Sequence, residues 1–107
     1  MPADQLVSLA SLVVKTGRFA RGDNLLPSIQ SQKAKVVILS EGCGANRSKK
    51  IQDKCAYYQI PLIMLNPLRF NAISSKVQGA MSVLDEGFAK SILNQAKLDS
   101  SLQLFNV

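Results

Sequence analysis

The chain has no histidine. Zinc sites that use His, and acid–base chemistry by imidazole, are therefore excluded. Cysteine is scarce. Cys43 and Cys55 are the only two, and they show no metal-ligand spacing. They could pair only if the fold brought them together, and a reducing cytosol would keep them as thiols. Acids are few: seven Asp and Glu stand against thirteen Lys and Arg, a formal charge of +6. An excess of that sign favours a polyanionic partner, nucleic acid before membrane, although it also serves plain solubility. No apolar run approaches a membrane span in length. Met1 to Gln5 has no basic segment, and Leu6 to Val14 is short and interrupted by Ser8 and Ser11. No secretory signal is expected, and the expected location is the cytoplasm. There is no internal repeat and no low-complexity segment.

What is present is a chain of 107 residues, 47% hydrophobic and 19% charged. Those totals suit one globular domain over 1–107, large enough to bury a core without staples. Leu6, Leu9, Ala10 and Val13 recur at helical spacing, which predicts a helix over 5–16 with Asp4 at its favourable end and Gly17 as its stop. The stretch 18–21 reads as a short strand with Phe19 turned inward between two arginines. Val36 to Ser40, Ile60 to Leu65 and Gly79 to Leu84 are apolar runs that read as buried strands. Between them lie a helix over 46–58, with Ile51, Cys55 and Tyr58 as its inner stripe, and a short helix within 68–73. The face of the first that carries Arg47, Lys50 and Lys54 is most simply a solvated one. A last helix, 86–98, starts on Asp85 and Glu86, with Ile92 and Leu93 inside and Ala89 and Ala96 allowing close packing. Alternating strands and helices predict an α/β fold, a sheet of about four strands with helices on both faces. The tail 99–107 is either docked on the body through Leu102, Leu104 and Phe105 or loose.

One stretch carries the most chemistry: Lys15 to Gln30, KTGRFARGDNLLPSIQ. A helix begins at Asp23 or Asn24 and runs to about Ser31; with Asn24 as cap Pro27 lies in the first turn and forfeits no intrahelical bond, whereas with Asp23 as cap its missing N–H is the first the helix would use. Unpaired N–H groups at a helix start attract anions. Lys15, Arg18, Arg21 and Lys33 surround that start and would hold phosphates without reading sequence. Asn24 is either a polar reader or simply the helix cap. Gly22 is either part of that surface or a plain turn glycine.

The order of these segments resembles a known family. The carriers are Val37 to Ile51 with Glu41, Asn46, Lys49 and Lys50, the segment Asp53 to Pro61, and Asp85-Glu86-Gly87-Phe88-Ala89-Lys90. Together, across Leu6 to Leu93, they resemble the YlxQ-type bacterial branch of the kink-turn RNA-binding ribosomal proteins, the L-seven-Ae and L-thirty-e superfamily. The resemblance implies a three-layer α-β-α sandwich with a mixed, L-thirty-e-like sheet. It implies a monomer in the translation apparatus that recognises a kink-turn or related bent internal loop in structured RNA, ribosomal RNA first. The family's contacts lie in Gly-x-Asn-Glu-x-x-Lys at the start of the second helix and in an apolar loop after the third strand. Gly22 and Asn24 match the glycine and asparagine, with Asp23 between them, while Leu25 and Ser28 stand where glutamate and lysine are expected. Leu65, Asn66 and Pro67 fall on the loop that covers extruded nucleotides. No cofactor is implied.

Two other classes compete. Gly42-Cys43-Gly44, after a strand and before a helix with Arg47, Lys49 and Lys50, loosely resembles a phosphate-binding turn. It lacks the glycine spacing of a dinucleotide site and the Gly-Lys-Ser/Thr ending of a P-loop. Cys43 as a nucleophile has no evident base, so a non-enzyme is expected. The third class is a protein–protein module of the translation machinery with only non-specific RNA affinity, using the apolar loop and Leu102 to Phe105.

Overall fold

A computed structural model describes residues 5–73, 79–100 and 102–107. Five helices and five strands follow one another as α1 (Gln5–Thr16), β1 (Phe19–Ala20), α2 (Leu25–Gln30), β2 (Val36–Ser40), α3 (Ala45–Tyr58), β3 (Leu62–Leu65), α4 (Pro67–Asn71), β4 (Ala80–Val83), α5 (Glu86–Leu98) and β5 (Gln103–Phe105). Asp4, expected at the start of α1, lies outside the described residues.

The strands form one mixed sheet in the order β1-β4-β2-β3-β5. β2 and β3 run parallel, joined through α3, and every other pair is antiparallel. Among the described residues the strands number five, not about four. The fifth comes from the tail: Leu104 lies opposite Ile63 and Phe105 opposite Leu62. Leu102, Leu104 and Phe105 are half-buried against the body, so the tail is docked and covers an edge of β3 that would otherwise expose unpaired backbone groups.

Side chains alternate across a strand, so each central strand feeds two cores. Val36 and Ile38 of β2 join α1, α4 and α5 through Leu6, Val13, Phe70 and Ile92. Val37 and Leu39 join α2 and α3 through Leu25, Ile29, Ile51 and Cys55. The result is helices on both faces of a sheet whose central strands are buried on both sides. Ala10, Ala89 and Ala96 are buried where α1 meets α5, and their small side chains let the two helices approach closely.

Local chemistry fixes the ends of the elements. Asp85 accepts a hydrogen bond from the Phe88 N–H at 2.9 Å and so caps α5. Asn66 does the same for α4 through Arg69 N–H at 2.9 Å, with Pro67 as its first residue. Among the described residues no helix is long and apolar enough to cross a membrane.

Candidate functional site

The segment from Arg21 to Asn24 emerges at a defined place on the sheet. β1 and β2 both run antiparallel to β4, so the chain leaving Ala20 heads to the same end as the chain leaving Ser40. That end also receives the exit of β3 and the entrance to β4. The loops there touch: the Glu41 N–H donates to Leu65 O at 2.9 Å, and Ser40 N–H donates to Gly79 O at 2.8 Å. A Cβ on Gly42 would sit 3.2 Å from the Pro67 ring, and one on Gly79 only 2.8 Å from Cys43. Glycine is thus required at 79, where the backbone also takes a φ of +84°.

Gly22 to Asn24 form a single 3₁₀ turn ahead of α2. Gly22 has φ +56°, a conformation that disfavours other residues, and a Cβ there would meet open space. Asn24 occupies the N-cap position of α2, but its side chain makes no capping bond. The helix-cap reading of Asn24 therefore fails, because its backbone is already helical, at φ −89° and ψ −11°, instead of extended. The side chain is exposed and lines an open groove of about 430 Å³ with Phe19, Ala20, Pro27, Lys33 and Leu84. Asn24 and Lys33 are thus brought together along the edge strand β1.

Other expected site residues are placed elsewhere. Arg18 binds Asp85 through Nη1 at 2.6 Å and ties β1 to the start of α5. The Phe88 N–H first, and then the Arg18 guanidinium, hold the Asp85 carboxyl below its ordinary value. Lys15 lies in the last turn of α1 and lines a shallow cleft with Ser8, Ser11 and Leu12, on the face of the sheet away from α2. Leu65 is fully buried in the core, so its side chain cannot cover a splayed base. Asn66 is committed as the α4 cap, and Pro67 packs toward Gly42. The exposed apolar residue after β3 is instead Leu68, in the first turn of α4 and 84% exposed. Sequence carried a signal for this: with Asn66 as cap, Phe70 and Ile73 define the inner side of α4, and Leu68 falls off it.

Leu25 and Ser28 also prove to be interior. Leu25 lies in the core that also holds Val37 and Ile51, and the Ser28 hydroxyl meets Leu25 O at 2.6 Å and Ser82 Oγ at 2.8 Å. These two positions therefore hold the helix on the sheet, and Ser28, which reaches the floor of the groove, is almost wholly buried and carries no charge. Cys43 is half-exposed, Cys55 is buried, and both are free thiols. Burial pushes the Cys55 thiol up to about 12.

No family model matches the chain. Curated relatives do. An RNA-binding protein YlxQ from Enterococcus faecium is 29% identical over 86 residues, which is 78% of this chain and 84% of that protein. An RNA-binding protein YlxQ from Bacillus subtilis (strain 168) is 28% identical over 89 residues, 80% of this chain and 89% of that protein. Among solved structures, a protein with unknown function from Bacillus halodurans C superposes with a TM-score of 0.80 at 26% identity, over 89% of this chain and 99% of the other.

Proposed function

We propose that this chain, which resembles the YlxQ-type RNA-binding proteins along most of its length, binds structured RNA at a kink-turn or related bent internal loop. The observation that carries the site is Asn24: an exposed polar side chain at a helix start, left unused by the helix, beside Lys33. Bent RNA opens base edges that such an amide can meet, and the adjoining backbone brings phosphates. Arg21, Gly22 and Asp23 lie against that backbone, and Lys33 holds a flanking phosphate. Leu68 takes the covering role expected of Leu65. Ribosomal RNA is the first target to try, and the protein acts as a cytoplasmic monomer with no catalytic step. The relatives' printed names, RNA-binding protein, support this reading over an enzyme.

The test is a titration into a labelled kink-turn RNA at near-physiological salt, beside the same RNA with its G·A pairs replaced. The reading expects affinity that depends on those pairs and falls for Asn24→Ala only on the intact RNA. Arg21→Ala should weaken both RNAs alike and flatten the salt dependence. Equal losses from Asn24→Ala on the two RNAs would remove it from the reader role.

A further inference from the structure

The outward side of α3 carries chemistry that the groove along β1 does not use. The helix holds four cations and one acid, and buries Ile51 and Cys55 against the sheet. At about 100° per residue, Lys50, Lys54 and Tyr57 fall within roughly 60° of one another, to the side of that buried seam. Tyr57 is 79% exposed, although an aromatic ring in water gains nothing for the fold. Its position is fixed by Tyr58: the two rings meet edge-on, with centroids 4.8 Å apart and planes at 76°. Tyr58 is itself half-buried against the core. Asp53, Lys54, Tyr57 and Tyr58 line an open cleft of about 420 Å³. Among the described residues, neither Lys50 nor Lys54 is held by an acid.

A ring braced by a neighbour and flanked by cations is a stacking platform on a phosphate track. Lysines are depleted from protein–protein contacts, whereas cations interleaved with aromatics are the usual form of a surface for single strands. We propose that this face binds a single-stranded RNA segment: one base stacks on Tyr57 with an N–H edge toward Asp53, while Lys50 and Lys54 hold adjoining phosphates. Tyr57 lies near the start of β3, and β4 and β2 stand between β3 and the β1 edge along which Asn24 and Lys33 lie. The two contacts are therefore separate, and the bound RNA runs from a bent element onto an unpaired flank. The proposal rests on the RNA-binding reading but not on the kink-turn groove.

Tyr57 and Tyr58 are the only tyrosines, and there is no tryptophan, so intrinsic fluorescence arises from this face alone. The experiment titrates the full chain with a kink-turn hairpin, with the same hairpin bearing a short adenosine tail, and with the free oligoadenylate. The tail should tighten binding by about tenfold and quench tyrosine emission, as expected for one stacked base. Tyr57→Ala should erase that advantage and leave the untailed hairpin's affinity unchanged, while Tyr57→Phe keeps it. Lys50→Gln and Lys54→Gln should each lower the salt slope of the tail's contribution by about 0.7. If the untailed hairpin binds, yet the tail adds nothing and emission is unchanged, the α3 proposal falls and the groove reading stands. Tail binding without preference for the hairpin overturns the groove reading and upholds the α3 contact. Absence of all three complexes removes both. Thermal melts of the variants check that each is folded.

Discussion

Ser28 shows how one residue can change meaning between sequence and structure. As a surface position it is a missing charge; in the fold it is a buried hydroxyl bonded to Ser82 across α2 and β4. Both serines are buried, and among the described residues no buried side-chain nitrogen or oxygen is left unpaired. Ser28→Ala strands one hydroxyl and should cost about 1–3 kcal/mol in denaturant melts. Replacing both serines with alanine should cost less than the sum of the two single changes, because neither hydroxyl is then left alone. Additive losses would show that the pair is not coupled. Asp85 invites a pH experiment. Its folded carboxyl lies below the ordinary value, so its contribution is present above the unfolded pKa of about 4 and lost as pH falls through the folded value. Asp85→Asn should therefore lower Tm at neutral pH and flatten its acid limb, and an unchanged limb would assign the acid sensitivity elsewhere. Cys55 has the opposite sign. Its thiol is raised to about 12, which favours the folded chain at low pH, and that advantage is lost as pH rises above about 9, where the unfolded thiol ionises. A thiol reagent at mild pH should count one reactive cysteine in the folded protein, Cys43, and two after denaturation; a native count of two would contradict the burial of Cys55.

At the scale of elements, the tail and α2 are the informative cases. β5 pairs with β3 and places Leu104 against the core shared with α1 and α5. Removing residues 99–107 should lower Tm and promote self-association, since it bares a flat apolar strand edge and breaks the 2.9 Å Arg69–Asp99 bridge. RNA affinity of the folded fraction should stay as it was, so a selective loss of RNA binding would move the site toward the tail. The longer elements were readable because each has one dominant signal. The apolar run Val36 to Ser40 gave a strand with both faces buried, and Asp85 with Glu86 gave the start of α5. β5 has no such signal. Three residues, one exposed and two half-buried, look the same whether docked or loose, and only the edge of β3 selects the docked state.

For the molecule as a whole, charge and topology divide the explanation. The +6 excess predicts RNA affinity that falls steeply with salt, and a binding constant indifferent to salt would count against any phosphate-led mode. Composition, periodicity and helix starts were enough to set the class of fold, the alternation of strand and helix and the buried strands, because these depend on local pattern and on totals. The candidate site was only partly legible: Gly22 and Asn24 share a turn and Asn24 and Lys33 line one groove, but Lys15 and Arg18 belong to other surfaces and Leu65 to the core. What the tertiary structure decided was which side chains remain available. Arg18 meets an acid 67 residues away in the chain, Leu25 and Ser28 turn inward by helix phase, and Tyr57 stands out from α3 braced by its neighbour. Each of those outcomes depends on the phase of a helix against the sheet or on a contact between distant segments. Sequence spacing constrains the first only to within a residue, and the second not at all.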